Sequence, residues 1–187
     1  DVEDFIGDNS IKALRAILQM LEKYELTGLF FITGHMAEKL QRFPLILDLL
    51  RTHEIGYHSS SHSVRPTIFE FTDVDDYEEA YRISLERETA HINPISGRVE
   101  GIGGIKSVRD LFPAKKITAY RAPGFCWSPP HLEALRDLGV KFDFSSNLSL
   151  TRVYHKGITF YPYPILQWQR TISEQNILFW LSLLRYE

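Results

Sequence analysis

The chain has 187 residues, of which 44% are hydrophobic and 24% are charged, enough apolar material for a single globular domain over residues 1–187. Its formal net charge of −3 offers no basic surface for nucleic acid, and its single cysteine excludes an internal disulfide framework and any multi-cysteine zinc cluster. The longest apolar runs are too short to span a bilayer, so we expect no transmembrane segment in this chain.

The start of the sequence carries no signal peptide, yet the chain begins at Asp1 without a methionine. We therefore expect a piece of a longer protein, trimmed at both ends. A targeting segment and a first β-strand could precede the chain in that protein, so both the cell envelope and the cytoplasm stay open as locations.

Helical and strand patterns alternate along the chain. Ile11, Leu14 and Leu18 repeat at helical spacing behind Ser10, the predicted N-cap of the first helix. The short continuous apolar run at 29–33 is typical of a strand that is covered on both faces. In chain order, the patterns predict a helix at 11–26, strands at 29–33 and 54–58 around a helix at 44–53, a helix at 72–92, a strand at 117–123, a helix at 128–140 and a strand at 141–146.

Local signals mark where the later helices begin. Pro44 suits the first turn of the second helix, and Ser128 opens the last one. Thr72 or Asp73 is the predicted cap of the third helix. The segment 92–106 is rich in glycine and proline, and we interpret it as a loop.

The alternation of strands with helices indicates βα units and a mostly parallel sheet. In such folds, ligands bind at the carboxyl ends of the strands. The polar residues that follow strands are therefore the candidates for function. They are His58, His62, Arg121, the segment 143–146 and, at the start of the chain, the segment 1–4.

The stretch "HSSSH" holds His58 and His62 four residues apart. On one helical turn their Cβ atoms would lie about 5–6 Å apart, close enough for both rings to reach one metal ion. Two solvated surface histidines are the alternative. We interpret His53, His91 and His131, which fall in helices or at their ends, as surface residues.

Charged residues near two other strand ends complete the candidate set. If the acidic stretch "DVED" is extended, Asp1 and Glu3 project from the same face, whereas an acidic terminus in water is the alternative. In "YRAPGF", Arg121 stands directly before the turn at Pro123 and is well placed to pair with a carboxylate. A salt bridge that only braces the turn is the alternative there.

The order of these motifs resembles the polysaccharide deacetylase family, a carbohydrate esterase group with the NodB-homology domain. "DVED" is similar to the D-x-D/E variant of the family's first motif, "HSSSH" matches H-S/T-x-x-H in full, and "YRAPGF" matches R-x-P. The phrase "LRDLGVKFDFSS" looks like a further family segment. The resemblance covers roughly residues 1–150, and only the combination of motifs is specific.

The resemblance implies a distorted (β/α) barrel with fewer than eight regular units and mostly parallel strands. It also implies a divalent metal ion, usually zinc, with Glu3, His58 and His62 as its ligands. Asp1 would be the catalytic base, and Arg121 would hold Asp1 ionised and oriented.

The implied activity is the removal of N-acetyl groups from an N-acetylated oligo- or polysaccharide. The tetrahedral oxyanion would be stabilised by the metal and by a backbone N–H near Gly124 or Phe125. With Pro123, these two residues form the expected substrate-binding turn.

The sequence departs from the family's motifs in two places. Glu3 as base with Asp4 as ligand is an alternative pair, although strand alternation favours Asp1 with Glu3. The family's late L-x-H motif, which supplies a general acid, has no counterpart after His155, and we expect it beyond Glu187. A hydrolase of another amide or of an O-acetyl ester, and a non-catalytic carbohydrate-binding relative, are the other functions that fit.

Two further groups are ambiguous from the sequence. Tyr161, Tyr163 and Trp168 either line a sugar site or pack against the barrel. We interpret Asp143 and the serines that follow it at 145–146 as a structural strand end.

Overall fold

The computed structural model describes residues 1–3, 9–62, 74–146 and 152–162. The α-helices in these ranges are α1 (Asn9–Lys23), α2 (Gly34–Leu40), α3 (Pro44–Leu50), α4 (Tyr77–Thr89), α5 (Ile105–Leu111) and α6 (Pro129–Asp137). The strands are β1 (Leu29–Ile32), β2 (Glu54–Tyr57), β3 (Ala90–Ile92), β4 (Val99–Ile102), β5 (Ala119–Tyr120), β6 (Phe142–Ser146), β7 (Val153–His155) and β8 (Ile158–Pro162).

The main sheet has six strands in the order β1-β2-β5-β6-β8-β7, and β3 and β4 form a separate antiparallel hairpin. Neighbours in the main sheet pair in parallel, except that β7 is antiparallel to β8. At the other edge, Val2 forms a parallel bridge with Ile32 of β1. The parallel strands therefore follow one another across the sheet in chain order, which is the winding of a (β/α) barrel and not of a doubly wound sheet.

The predicted fold class, α/β with mostly parallel strands, is confirmed by this topology. Helices pack against one another around the sheet, with α1 against α3, α2 against α5 and α4 against α6. Closure of the sheet into a barrel is not seen among the described residues, so the barrel itself stays a prediction.

The hydrophobic core explains why β1 and α1 form where the sequence predicts them. Phe30, Phe31 and Ile32 are at most 9% exposed, as expected of a strand that is covered on both faces. Leu14 and Leu18 point from one face of α1 into the same core. Burial of each such side chain stabilises the fold by about 1.5–3 kcal/mol.

Two helix caps differ from the sequence-based expectation. Ser10 lies inside α1 and does not cap it. The cap of α4 is Asp76, whose side chain accepts a hydrogen bond from the Glu79 amide at 2.8 Å. Thr72 and Asp73, the predicted caps, lie outside the described residues.

The sequence patterns do not predict helices α2 and α5, strands β7 and β8, or the β3–β4 hairpin. Helix α2 begins directly after β1, and the Thr33 side chain caps it by accepting from the Met36 amide at 3.1 Å. The β3–β4 hairpin occupies much of the segment 92–106, so the loop prediction is wrong there. A Cβ atom on Gly103 would lie 2.7 Å from the His91 Cα atom, which shows that this glycine permits close backbone packing.

The carboxyl ends of β1, β2, β5 and β6 meet at one edge of the sheet because these strands run parallel. Thr33, His58 and Arg121 directly follow three of these strands. The candidate residues therefore converge on one edge. None of the helices in the described ranges has both the length and the apolar character that crossing a membrane requires.

Candidate metal centre

Residues 1–3 are held against β1 by backbone hydrogen bonds. The Val2 amide donates to the Phe31 carbonyl at 2.7 Å, and the Thr33 amide donates to the Val2 carbonyl at 3.2 Å. Val2 is 7% exposed and belongs to the hydrophobic core. Because side chains alternate along an extended strand, the two acidic side chains that flank Val2 project away from this core. The pairing thus places the Asp1 and Glu3 carboxylates at the edge where the carboxyl ends of the parallel strands meet.

His58 follows β2 directly, and only 2% of its surface is exposed. Its amide donates to the Ile32 carbonyl at 3.0 Å, which continues the pairing of β1 with β2. The ring Nδ1 lies 2.7 Å from the Arg121 carbonyl oxygen. A carbonyl oxygen only accepts, so Nδ1 carries the proton and the lone pair is on Nε2. The buried Nε2 atom has no hydrogen-bond partner in the described part of the chain, and it is therefore suited to ligate a metal ion.

Glu3, His58 and His62 bring one donor atom each within 4.8 Å of the others. Glu3 Oε1 lies 3.6 Å from His58 Nε2, and Glu3 Oε2 lies 3.5 Å from His62 Nδ1. The two imidazole rings have centroids 5.4 Å apart. Ligand atoms bound at about 2.0–2.1 Å to a tetrahedral zinc ion are about 3.4 Å apart, so the separations from Glu3 already approach those of a metal centre.

The electrostatics of Glu3 also suit a cation. Burial raises the pKa of Glu3, but its interaction with His58 and the charge of His62 outweigh burial, so the pKa lies below the ordinary value. Glu3 Oε2 is a buried atom with no hydrogen-bond partner among the described residues. One ionised carboxylate and two imidazoles are a donor set of catalytic zinc sites. The residues present therefore fit a divalent metal ion.

An ion pair between Asp1 and Arg121 stands beside this cluster. Arg121 Nη1 donates to Asp1 Oδ1 at 2.9 Å, and Asp1 Oδ2 lies 4.0 Å from His58 Nε2. The guanidinium of Arg121 lies 4.5 Å above the centre of the Phe31 ring, and its Nε donates to the Phe144 carbonyl at 3.3 Å. Arg121 is thus held from three sides, which orients the carboxylate of Asp1.

A 3-10 turn at Pro123–Phe125 follows Arg121 closely. Gly124 and Phe125 both have a positive φ, of 59° and 58°. The Phe125 amide already donates to the Ala122 carbonyl at 3.0 Å. Of the two amides expected near an oxyanion, we therefore retain that of Gly124 as the predicted donor.

Asp143 and Ser145 brace the neighbouring strand end. Asp143 is fully buried, and burial raises its pKa to about 6. Its Oδ1 accepts from the Ser145 amide at 2.6 Å, and the Ser145 hydroxyl accepts from the Ala122 amide at 2.7 Å. These contacts tie β6 to the chain that carries Arg121.

The interpretation of His53 and His131 as surface residues is wrong. His53 is 4% exposed and accepts from the Gly28 amide at 3.4 Å. His131 is fully buried, and its Nε2 donates to Glu88 Oε1 at 2.8 Å. Glu88 is equally buried and was not singled out by the sequence patterns. A four-residue spacing on the buried face of α4 is the signal that could have found it: Ala80, Ser84 and Glu88.

Three residues of the sequence-based hypotheses lie outside the described residues: Asp4, Tyr163 and Trp168. Tyr161 is described, and its ring stacks on that of Phe144 with centroids 5.0 Å apart. Tyr161 therefore packs against Phe144, the residue whose carbonyl oxygen accepts from Arg121.

No protein-family model matches the chain, and no curated protein matches it. Among solved structures, the chain is similar to a presumed polysaccharide deacetylase from Mycobacterium smegmatis, at 18% identity and a TM-score of 0.51, over 92% of this chain and 58% of that chain. It is also similar to the 4-alpha-glucanotransferase from Thermococcus litoralis, at 16% identity and a TM-score of 0.53, over 90% of this chain and 27% of that chain. A family 4 carbohydrate esterase from Bacillus anthracis matches at 20% identity over 92% of this chain and 69% of that chain. Its TM-score is 0.45, which is too low to establish a shared fold.

The first two likenesses show a shared fold and nothing more. The names of these two proteins denote different activities, so the fold alone does not select a function. The chain spans 58% of the Mycobacterium smegmatis protein, and its likeness to that protein agrees with the α/β fold of mostly parallel strands that the sequence predicts.

Proposed function

We propose that this chain is a metal-dependent hydrolase that removes N-acetyl groups from an N-acetylated sugar or polysaccharide. The observation that supports this most is the cluster of Glu3, His58 and His62 beside the ion pair of Asp1 with Arg121. Three protein ligands leave a position open for water or substrate. A divalent ion held there, zinc in our proposal, would polarise the acetyl carbonyl and lower the pKa of a bound water.

Asp1 is the general base in this proposal. Its Oδ2 is 4.0 Å from His58 Nε2, within reach of a water at the cluster, while Arg121 holds Oδ1. Asp1 takes a proton from the water as the water oxygen bonds to the acetyl carbon, and the Gly124 amide donates to the oxyanion. The C–N bond then breaks as the sugar nitrogen accepts a proton, and acetate leaves. Asp1, now protonated, is an acid already in place to return the proton to the sugar amine.

Two alternatives share parts of this site. Hydrolysis of another amide or of an O-acetyl ester needs the same attack of water on a carbonyl. A non-catalytic carbohydrate-binding relative would keep the fold without turnover. The substrate therefore has to be tested together with turnover.

Acetate release from N-acetylglucosamine oligomers by the full-length protein tests the proposal. We expect release to stop when a chelator is added and to resume when zinc is restored. An O-acetylated sugar, assayed in parallel, separates amide from ester hydrolysis. Oligomer binding without acetate release would contradict the proposal and support the carbohydrate-binding relative.

The variant His58→Ala ties the activity to the cluster. We expect it to lose both bound zinc and acetate release. The matched control is His155→Ala on β7, because His155 is exposed and lies outside the cluster. Equal zinc content in wild type and His58→Ala would contradict the ligand assignment.

A further inference from the structure

A buried carboxylate lies directly behind the histidine loop. Glu88, in the last turn of α4, is fully buried. The Tyr57 hydroxyl donates to its Oε2 at 2.6 Å, and the Ser59 hydroxyl reaches both of its oxygens, at 3.1 and 3.2 Å. His131 Nε2 donates to Oε1 at 2.8 Å. Burial of a carboxylate is costly unless hydrogen bonds satisfy it, and here donors from three residues converge on one group.

Two of these donors flank the metal ligand. Tyr57 precedes His58 and Ser59 follows it, so the residues on both sides of His58 are hydrogen-bonded to Glu88. His58 is thereby fixed by its neighbours as well as by its own ring contact.

Ser59 has a left-handed backbone conformation, which is unfavourable for serine without compensating contacts. Its φ is 67°, in the left-handed region that costs energy for any residue with a Cβ atom. This conformation turns the chain immediately after His58, at the start of the loop that leads to His62. The hydrogen bonds of Ser59 to Glu88 offset that cost.

The loop is held from its other side as well. The Ser59 carbonyl accepts from the Gly34 amide at 3.0 Å, and the Ser60 carbonyl accepts from the His35 amide at 2.9 Å. The Ser60 hydroxyl donates to the Arg87 carbonyl, next to Glu88. The loop between the two histidines is therefore clamped between the start of α2 and the end of α4.

We propose that Glu88 is a positioning residue for the metal ligands His58 and His62, acting through Ser59. This inference rests on the proposed metal site and adds a residue to it that touches neither metal nor substrate. Loss of the carboxylate would free Ser59 to relax from its left-handed conformation, and His62 would then no longer be held opposite His58.

Zinc affinity of the metal-free full-length protein, measured by competition with a chromophoric chelator, tests the inference without any assay of activity. We expect Glu88→Gln and Ser59→Ala to weaken zinc binding by about 10- to 100-fold, the usual effect of losing a group that orients metal ligands. Ser59→Gly should bind closer to wild type than Ser59→Ala, because glycine adopts a positive φ without strain.

The matched control is Glu38→Gln. Glu38 also accepts from a histidine and a serine, His91 at 3.0 Å and Ser107 at 3.2 Å, but it lies outside the cluster of metal ligands. We expect its zinc affinity to equal that of wild type. Circular dichroism and thermal unfolding confirm that each variant is folded before zinc is added.

The outcomes separate the inference from the function on which it rests. Wild-type zinc affinity in both Glu88→Gln and Ser59→Ala would overturn the inference alone, and so would an equal loss in Glu38→Gln. If Glu88→Gln does not fold, Ser59→Ala decides the question in the same way. A wild-type protein with no affinity for zinc would overturn the proposed metal site together with the inference.

Discussion

Arg121 contacts Asp1 with its guanidinium, at 2.9 Å, while the backbone carbonyl of Arg121 lies 2.7 Å from the Nδ1 of His58. One residue thus orients the proposed base through its side chain and a proposed metal ligand through its main chain. A side-chain substitution should therefore affect the base and leave the metal ligand in place. This separation makes the two roles testable one at a time.

The variant Arg121→Lys tests the orientation of the base. Lysine keeps the charge but lacks the planar fork, so we expect acetate release to fall by up to about 100-fold while zinc affinity is retained. Arg51→Lys is the matched control, since Arg51 also pairs with an aspartate, Asp48, on an exposed surface. Full activity in Arg121→Lys would show that the pair only braces the turn.

The variant Asp1→Asn tests the base itself. Asparagine keeps the shape and an acceptor for Arg121 but takes no proton, so acetate release should fall by about 10²- to 10⁴-fold. Zinc content should stay at the wild-type level because Asp1 is not among the three proposed ligands. Loss of zinc from Asp1→Asn would instead make Asp1 a ligand, and activity kinetics with metal analysis on the same sample distinguish the two results.

The variant Phe31→Leu tests the ring beneath Arg121. The guanidinium lies 4.5 Å above this ring, and a cation–π contact contributes about 0.5–2 kcal/mol, so we expect acetate release to fall by about 2- to 30-fold. Phe30→Leu is the control, because Phe30 is a neighbour on the same strand and contacts His53 instead. Equal activity in the two variants, at equal thermal stability, would remove Phe31 from the site.

Gly56 on β2 leaves room in the sheet for the ring of Phe31. A Cβ atom on Gly56 would lie 2.6 Å from Phe31 Cδ1, so only glycine leaves room for the ring at this position of β2. We expect Gly56→Ala to displace Phe31 and to lower both the unfolding temperature and acetate release. Unchanged acetate release in a folded Gly56→Ala protein would show that the position of the ring is not needed.

Asp143 predicts how stability depends on pH. Its pKa is raised by burial from an ordinary 3.8 to about 6, so the folded state keeps the proton to a higher pH than the unfolded chain does. The stability that protonated Asp143 contributes is fully present below pH 3.8 and is lost as the pH rises through about 6. The loss amounts to at most about 3 kcal/mol.

The variant Asp143→Asn should abolish this pH dependence, since asparagine keeps the acceptor for the Ser145 amide but carries no charge. Urea unfolding between pH 4 and pH 7 is the measurement, with Asp48→Asn at the exposed end of α3 as control. Parallel pH profiles for wild type and Asp143→Asn would contradict the assignment.

The sequence predicts strands β1, β2, β5 and β6 and the edge of the sheet that carries the candidate site, because these depend on local patterns. The continuous apolar run of β1 and the strand ends at His58 and Arg121 are visible in the residues themselves, and parallel pairing brings these ends together. The positions of the Asp1 and Glu3 carboxylates are harder to predict, because they depend on the pairing of Val2 with Ile32. Local patterns do not reveal such a contact between distant segments.

Sequence patterns miss features whose local signals indicate a different structure from the one that forms. The glycines around the β3–β4 hairpin indicate a loop, yet Gly103 serves close packing of two strands. Glu88 and His131 are polar residues, for which exposure is the ordinary expectation, but they form a hydrogen bond with each other inside the protein. Such pairing is a property of the packed helices α4 and α6 and not of either segment.

The proposed ligand Glu3 and the proposed base Asp1 arrive on one short edge segment, residues 1–3, docked on β1 by backbone hydrogen bonds and by the buried side chain of Val2. If this segment peels from the sheet, both groups leave at once, whereas an ion that binds only the assembled site favours docking. Docking of this segment and ion binding are therefore thermodynamically linked, and each favours the other. Slowed hydrogen exchange at the Thr33 amide, which donates to the Val2 carbonyl, would report an occupied site, and undocking of residues 1–3 would remove the proposed ligand and the proposed base together.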